Sequence, residues 1–458
     1  MEEKVEKQYV PTELGEQKVG KLLWQYAAPA IVAMAASSVY NIVDSIFVGQ
    51  GVGDIAISGM AIASPLMNLA AAFGAMVGVG ASTVISVRLG QGKYDTAQHI
   101  LGNTITLNIV LGLIFTLVCL PLLDPILHVF GASEATLPYA RDYMRIILIG
   151  DIISHSYFGL NAVLRSAGHP QAAMNCTILT ILVNTILDPL FIFGFGWGIE
   201  GAAWATILSQ AVSLTVQLKL FSRKSELLHL RRGIYGLRLD IVRQCLAIGM
   251  SPFLMNSCAC LVVLFINNRL KDYGGDMAIG AYGIVNRVVF LFVTIVIGLV
   301  HGMQPIAGYN WGAHKNDRVW QVLRYTIVMA TGVTIVACMV GELMPEMVIS
   351  IFGAGPELTE KAVRAFRLMV AVFPLVGAQI VIGNFFQSIG HAGKSIFLSL
   401  TRQLLFLIPC LALLPPHLGL DGIWLSMPIS DSISFFTAAS MLAFLVKKVR
   451  NETYRTAE

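Results

Sequence analysis

Charged residues are scarce in this chain. They make up 13% of its 458 residues, while 56% are hydrophobic, and an ordinary soluble domain has about 25% charged residues. A soluble globule of this length would lack the polar side chains needed to cover its surface, so the composition indicates an integral membrane protein. The net charge is only +4, and we expect no nucleic-acid partner.

Cysteine is also sparse, and it follows no pattern. The seven cysteines lie in apolar stretches, their number is odd, and none shows CxxC spacing. This pattern excludes a disulfide framework and a cysteine-based metal site. Residues 390–395 end like a P-loop, but the first glycine of that motif and the strand before it are missing, so we expect no nucleotide partner.

Long hydrophobic runs, by contrast, fill the chain. A helix that crosses a bilayer needs about 20 apolar residues, and the runs lack the alternation typical of barrel strands, so they predict helices. The sequence predicts twelve spans, at 22–49, 55–87, 100–123, 138–164, 170–195, 199–222, 244–268, 278–306, 319–342, 359–388, 395–416 and 420–446. The prediction is therefore an all-α membrane protein of twelve transmembrane helices, with no room for a soluble nucleotide-binding domain.

Lysine and arginine are distributed unevenly between the loops. Most of them lie in the two tails and the even-numbered loops, and few lie in the odd-numbered loops. By the positive-inside rule both termini are expected to be cytoplasmic. The predicted organisation is a tail at 1–21, a first lobe at 22–222, a basic linker at 223–243, a second lobe at 244–446 and a tail at 447–458.

The two lobes repeat one another. GDIAI at 53–57 returns as GDMAI at 275–279, and the same offset relates Gly168 to Gly390 and the segment 130–132 (FGA) to 352–354 (FGA). Six helices per lobe is an even number, so the lobes run in the same direction and are related by an axis along the membrane normal. Duplicated bundles are a frequent transporter design with the substrate path at their interface, although channels and membrane enzymes also duplicate.

Polar groups from four helices of the first lobe fall at one depth. Counted from the predicted span ends, they lie roughly 7–11 Å below the outer surface; they are Asp44, Tyr143, Asp188 and Thr206. Asn184 is one turn before Asp188 on the same helix face. Charges at this depth are costly and need a partner or a function. The oxygens suit Na⁺. Alternatively, the two acids share one proton because like charges repel in a low dielectric, or the groups form a polar network that only ties helices together.

Two prolines interrupt helices of this lobe. A proline ring removes one backbone hydrogen bond of a helix. Pro189 is expected to free the carbonyl group of Thr185 close to Asp188. Pro29 does the same in the first helix and predicts a hinge there.

Three other ionisable groups lie deep in the predicted spans. Asp431 is expected to pair with one of the deep bases of the second lobe, which are Arg287, Arg367 and Arg402. Asp151 and His155 are spaced i, i+4 and therefore adjacent on one helix face. A local pair is the favoured interpretation for them, and a second titrating group that relays protons is the alternative.

Several segments resemble the multidrug and toxic compound extrusion (MATE) family. They are 302–313 (GMQPIAGYNWGA), 164–170 (LRSAGHP), 184–192 (NTILDPLFI) and 201–206 (GAAWAT), and the likeness extends over nearly the whole chain, including the duplication. The resemblance implies a twelve-helix pair of bundles around a central cleft. It also implies export of organic cations and other amphipathic drugs in exchange for inward sodium ions or protons.

Within the family the DinF-like bacterial and archaeal branch is the most similar. Its site in the first lobe uses an Asp of helix 1, an Asn and an Asp of helix 5 and a Thr of helix 6, and the matching residues here are Asp44, Asn184, Asp188 and Thr206. Tyr143 and Asn161 match positions near the substrate cavity. The other main branch has acids in helices 7 and 10, where this chain has only Asn256, Asn267, Gln379 and Asn384, so we expect no cation site in the second lobe.

These observations predict a cation-coupled antiporter that exports amphipathic small molecules through the cell membrane. We expect it to act as a monomer, with no cofactor other than a coupling ion, Na⁺ or H⁺. The alternative is a flippase of lipid-linked precursors; flippases often have a strongly cationic cavity, whereas the first lobe here concentrates acid. A membrane enzyme is disfavoured and no catalytic residues are predicted, because the sequence has no HExxH motif and no Ser–His–Asp cluster at a shared depth.

Overall fold

The computed structural model describes residues 11–352 and 355–455, without the side chains of Asp54, Asp276 and residues 452–455. Parts of three predictions lie outside these residues. They are positions 1–10 of the first tail, Gly353 and Ala354 of the repeat, and positions 456–458 of the second tail.

Helices form almost all of the described chain. Nine of them are long and apolar enough to cross a membrane, and two more spans are bent pairs of helices. The twelfth is Gly198–Phe221, which has 24 residues and matches the sixth predicted span. We number them α1 Val19–Gly51, α2 Asp54–Gly90, α3 Tyr94–Cys119, α4 Leu137–Ile149 with Asp151–Ser166, α5 Pro170–Gly194, α6 Gly198–Phe221, α7 Leu239–Gly275, α8 Met277–Gly312, α9 Asn316–Leu343, α10 Pro356–Val370 with Phe373–Ser388, α11 Ala392–Leu418 and α12 Leu420–Arg455. The predicted twelve-helix membrane fold is confirmed.

Two of the predicted spans, 138–164 and 359–388, are bent pairs of helices. α4 bends by 58° at Gly150, and α10 bends by 52° between its two arms. Gly150 packs so closely on Ile207 of α6 that a Cβ atom there would collide with the isoleucine side chain. Hydropathy reports the length of an apolar run and carries no information on its axis, so the bends were not predicted.

The duplication is visible in the backbone of the turns. Left-handed φ angles recur in pairs, one member in each half: Gly53 (109°) and Gly275 (65°), Gly92 (70°) and His314 (56°), Gly168 (95°) and Gly390 (81°), and Gly198 (57°) and Gly419 (60°). Glycine adopts this conformation without steric cost, and His314 is the one non-glycine residue of the described chain to do so. The two halves thus share turns as well as helices.

Three clusters of buried apolar residues hold the bundle together. One cluster draws on both halves, with members such as Leu22 and Ile85 from the first and Met303 and Phe385 from the second. The other two stay within one half each, one between Val48 and Ile207 and the other between Val262 and Trp424. We call α1–α6 the N-lobe and α7–α12 the C-lobe. The lobes share a core at one side of the molecule and have separate cores at the other.

The lobes touch most closely on the side that holds both ends of the described chain, which we call the terminal side. A Cβ atom at Gly302 of α8 would lie 2.6 Å from backbone atoms of Ala27 in α1, and one at Gly298 would lie 2.8 Å from the Cα atom of Ile31. These glycines are spaced i, i+4 and form one face of α8, which lets the two backbones approach as in small-xxx-small contacts. The lobes are therefore closed on the terminal side.

The segments that precede α1 and follow α6 also pack on this side of the molecule. The turn Glu13–Glu16 lies against the C-lobe, where Asn310 Nδ2 donates to the carbonyl group of Leu14 at 2.8 Å and Lys315 Nζ to that of Gly15 at 2.9 Å. The linker after α6 packs along α3, where the Arg238 amide group donates to Asn103 Oδ1 at 2.8 Å.

Candidate functional site

Two buried acids from different helices meet inside the N-lobe. Asp44 of α1 is 7% exposed and Asp188 of α5 is fully buried, and their carboxyl groups lie within hydrogen-bonding distance of each other. The Oδ1 atom of each has no hydrogen-bond partner among the described residues. The sequence predicted that these two acids lie at the same depth in the membrane, and in the structure their carboxyl groups are in contact.

Asn184 and Thr206 complete the predicted set. With the Asn184 amide nitrogen turned to the acids, it donates to Asp188 Oδ2 at 2.6 Å, and its oxygen accepts from the Thr206 backbone amide group at 3.1 Å. The Asn184 amide also lies 3.5 Å from Thr206 Oγ1. α5 and α6 are thus joined at the site, and the four residues named from the sequence form one cluster.

Two tyrosines surround this cluster, and the sequence predicted only one of them. Tyr143 of α4 is 1% exposed and lies beside the side chain of Thr206. Tyr40 of α1 also lies beside Thr206, and its hydroxyl oxygen lies 3.2 Å from the Asn184 amide nitrogen. The available signal for Tyr40 was its position four residues before Asp44, which puts both side chains on one helix face.

A change of helix type follows Asp188 on α5. The α-helix ends at Pro189 and continues as a π-helix over Leu190–Gly194. A π-turn widens the helix by one residue and is frequent at functional sites. It accommodates a proline that has no N–H group to donate, so the backbone next to Asp188 departs from regular α-helical bonding as Pro189 predicts.

The oxygens of this cluster can hold a small cation or a proton. Two carboxylates and several hydroxyl groups form a hard oxygen site of the kind that suits an alkali cation and does not suit soft metals. Among the described residues no three His, Cys, Asp or Glu side chains gather in a way that could hold a metal ion. We call this cluster of Tyr40, Asp44, Tyr143, Asn184, Asp188 and Thr206 the carboxylate site.

A cavity of about 260 Å³ lies in the N-lobe beside the proline of α1. Pro29 and Asn161 both line it, and Asn161 accepts a hydrogen bond at 2.6 Å from Arg165 Nη1 and donates one at 2.9 Å to the Ala173 carbonyl group. Pro29, the proposed hinge, thus borders this cavity. Tyr143 is not among the lining residues and lies in the carboxylate site instead.

A second cavity, of about 770 Å³, opens between the lobes on the side away from the termini. α2 contributes Ser64 and Asn68, and the C-lobe helices contribute most of the remaining wall. Asp431 of α12 lies in this wall and accepts a hydrogen bond at 2.7 Å from Arg402 Nε. Of the three candidate bases, Arg402 is therefore the partner of Asp431.

The pair at Asp151 and His155 is close but poorly bonded. His155 Nε2 lies 3.2 Å from Asp151 Oδ2 and 2.8 Å from the carbonyl group of Ala70, so the N–H bond points to the carbonyl oxygen. Both carboxylate oxygens and His155 Nδ1 have no hydrogen-bond partner among the described residues. The two side chains form a local contact that does not satisfy the buried carboxyl group.

Three of the amides that the sequence singled out in α7 and α10 of the C-lobe line different cavities. Asn256 lines the large cavity, whereas Gln379 and Asn384 line a small cavity of about 40 Å³ next to Ser251. Ser251 is hydrogen-bonded to Ser395 at 2.7 Å and to Ser399 at 2.8 Å. The expectation that this lobe lacks a cation site remains a prediction.

The chain is similar to known transporters along its length. The MatE family model matches residues 29–190 and 247–412, one stretch in each lobe. The multidrug export protein MepA of Staphylococcus haemolyticus (strain JCSC1435) is 28% identical over 436 residues, which are 95% of either chain. MepA of Staphylococcus aureus (strain MSSA476) is 27% identical over 430 residues, 94% of either chain.

Solved structures show the same architecture. The MATE multidrug transporter DinF-BH, solved as a complex, is 33% identical and superposes with a TM-score of 0.88, covering 96% of this chain and 98% of the other. An outward-facing multidrug resistance MATE family transporter of the MOP superfamily gives a TM-score of 0.91 at 22% identity, covering 97% of this chain and 99% of the other. The second likeness concerns the fold alone.

Proposed function

The chain belongs to the MATE family of multi-pass membrane transporters, and we propose that it exports amphipathic or cationic small molecules in exchange for inward Na⁺ or H⁺. It is a transporter and not an enzyme. We further propose that it acts as a monomer in the cell membrane. We also propose that its two lobes, its linker and its two tails have the boundaries predicted from the sequence. The observation that carries the coupled mechanism is the contact between Asp44 and Asp188.

The carboxylate site supplies a means of coupling. Antiport requires that the ion and the substrate stabilise different conformations. When a cation or proton is bound, the charges of Asp44 and Asp188 are offset and α1, α5 and α6 are drawn together. When the site is empty, the two like charges repel each other. The filled and empty states thus favour different positions of α1 relative to α5, with Pro29 as the hinge between the site and the terminal side.

The arrangement of the lobes supports alternating access. The shared core and the Gly302–Ala27 contact close the terminal side, while the cavity of about 770 Å³ separates the lobes on the other side. Transport in this scheme requires the glycine contacts to open and the cavity walls to approach each other. Rocking of two bundles around a central site is the common mechanism of duplicated transporters.

The flippase alternative finds less support in the charges. The wall of the large cavity carries one base and one acid among the described residues, Arg402 and Asp431, so the cavity has no excess of positive charge. The N-lobe adds two more acids at the carboxylate site. A lipid-linked diphosphate would need several bases to offset its charge, and drug-like molecules fit this charge balance better.

The membrane orientation is part of the proposal. With most lysines and arginines at the tails and even-numbered loops, the closed terminal side faces the cytoplasm and the cavity opens outward. A reporter fused after Glu458 should be active only in its cytoplasmic form, and a tag within residues 343–357 should be reachable from outside. A fusion that is active outside the cell would contradict the orientation.

Transport by purified protein tests the function itself. Reconstituted in proteoliposomes, the protein should move a fluorescent amphipathic cation against its concentration gradient when an inward Na⁺ or H⁺ gradient is imposed, and the two gradients applied separately identify the ion. Movement of a fluorescent lipid-linked precursor without drug transport would favour the flippase alternative instead.

A further inference from the structure

The large cavity between the lobes carries an ion pair in a wall that is otherwise uncharged. Arg402 of α11 and Asp431 of α12 are the only charged side chains among the described residues that line it. They belong to the C-lobe, whereas the carboxylate site is in the N-lobe. The coupling mechanism therefore makes no use of them, and an ion pair at membrane depth has a desolvation cost that calls for an explanation.

The ion pair is accessible from the cavity. The Arg402 side chain is 30% exposed and the Asp431 side chain is 12% exposed. Their hydrogen bond uses only Nε and Oδ1, and the two Nη atoms of Arg402 donate to no described residue. A guanidinium group presents its nitrogens in a planar fork that matches a carboxylate. Arg402 can thus keep its bond to Asp431 and bind a second carboxylate.

The local backbone directs two neighbouring polar residues into this cavity. α11 is a π-helix over Thr401–Leu407, and the adjacent residues Arg402 and Gln403 both line the wall. Ser430 Oγ donates to the carbonyl group of Arg402 at 2.8 Å, which fixes α12 against this segment. π-Turns are frequent at functional sites. Here the π-turn lies where α11, which carries Arg402, meets α12, which carries Asp431.

Two further polar atoms in the same wall have no protein partner. Gln403 Oε1 and Ser257 Oγ are buried and have no hydrogen-bond partner among the described residues, and both side chains line this cavity. A buried polar atom without a partner is costly, and such atoms are usually satisfied by water or a bound molecule. The cavity therefore offers hydrogen-bonding groups around the ion pair as well as a large apolar surface.

The charges select the class of ligand. The guanidinium group of Arg402 repels any cation that approaches Asp431. A cavity that bound only organic cations would therefore be expected to have the aspartate without the arginine. We propose that this cavity binds amphipathic zwitterions, with the substrate carboxylate on Arg402 and its cationic part near Asp431. This inference rests on the proposed export function and names a substrate class for it.

A matched pair of dyes tests how much the carboxylate of the ligand contributes to binding. Rhodamine B carries a cationic ring system and a free carboxylate, and its ethyl ester has the same ring system without the anion. Binding of each dye to the full chain in nanodiscs is measured by fluorescence anisotropy without any ion gradient. Arg402→Gln should raise the Kd for rhodamine B about tenfold or more, because a charge-assisted hydrogen bond is lost. The Kd for the ester should change by less than about threefold.

Two further variants control for charge and for folding. Arg287→Gln removes the same charge from α8 at a residue that does not line the cavity, and it should leave both Kd values unchanged. Arg402→Gln leaves Asp431 without its partner and can impair folding. The double variant Arg402→Gln with Asp431→Asn avoids this, and it should show the same selective loss of rhodamine B binding.

The outcomes distinguish this inference from the function on which it rests. An equal loss of both dyes in the folded variants, or no loss of either, would overturn the zwitterion site. Binding of the ester but not of rhodamine B by the wild-type protein would overturn it as well while leaving multidrug export intact. Failure of the wild-type protein to bind either dye would count against both.

Discussion

The carboxyl groups of Asp44 on α1 and Asp188 on α5 lie within hydrogen-bonding distance inside the N-lobe. Two acids in contact repel each other when both are ionised and attract when they share a proton or a cation. The distance between α1 and α5 is therefore sensitive to what the site holds. This relationship is the physical basis of the coupling that we propose.

Replacing either acid by its amide should uncouple transport. Asp44→Asn and Asp188→Asn keep the size and the hydrogen-bonding ability of the side chain, so we expect each protein to fold. We also expect each to lose gradient-driven efflux, because one neutral residue removes the like charges that respond to the ion. Efflux from proteoliposomes, with the amount of inserted protein measured in parallel, checks this.

Two milder substitutions calibrate that result. Thr206→Ala removes one neutral hydroxyl group from the site and should weaken efflux less than either amide does. Asn267→Ala in α7 should have little effect, because we expect no cation site in the C-lobe. Wild-type rates in both Asp→Asn variants would mean that the carboxylate site is structural and that the ion binds elsewhere.

Pro29 is the second point of the proposed mechanism that a single change can test. It is buried within the continuous helix α1 and lines the cavity of about 260 Å³. Pro29→Ala restores a backbone hydrogen bond and stiffens the helix, so we expect impaired efflux with near-normal expression. Pro252→Ala, at the corresponding position of the C-lobe, is the matched control and should affect efflux less. Equal efflux in Pro29→Ala and the wild type would remove the hinge from the mechanism.

Much of this architecture could be predicted from the sequence. The repeat predicts two lobes, the apolar runs predict twelve spans, and the depths counted along the helices predict that Asp44, Asp188 and Thr206 lie close together. The prediction of the spans is confirmed, because the length of an apolar run decides whether a helix can cross a membrane. The sequence also reduced the partners of Asp431 to three arginines.

The choice among those arginines could not be made in advance. Arg402 lies in a π-helix, where each residue turns by less than in an α-helix. The helix face on which Arg402 lies therefore cannot be predicted from α-helical periodicity. Tyr40 was missed for another reason. Its spacing to Asp44 was available, but a tyrosine in an apolar run is usually packing, and only the contact with Thr206 gives it a place in the site.

Asp151 provides a test of the alternative titrating group. Its carboxyl group is buried, and apart from the 3.2 Å contact with His155 it has no partner among the described residues. A buried acid without donors destabilises a protein. We expect Asp151→Asn to keep efflux and to leave the Tm unchanged or higher. Loss of efflux at normal expression would instead identify Asp151 as a second proton-binding group.

The contact between Gly302 and Ala27 leads to a prediction about closure of the terminal side. A Cβ atom at Gly302 would lie 2.6–2.7 Å from atoms of Ala27, so Gly302→Ala forces α1 and α8 apart at a cost of about 1–3 kcal/mol, typical of overpacking. We expect a lower Tm and reduced efflux, because the closed state of this side is selectively destabilised. Gly332→Ala in α9 is the matched control. No atom lies within 4 Å of its added Cβ, and alanine is the better helix former by about 1 kcal/mol, so this variant should be neutral or slightly more stable. If the two variants behaved alike, the close approach of α1 and α8 would not be what holds the terminal side shut.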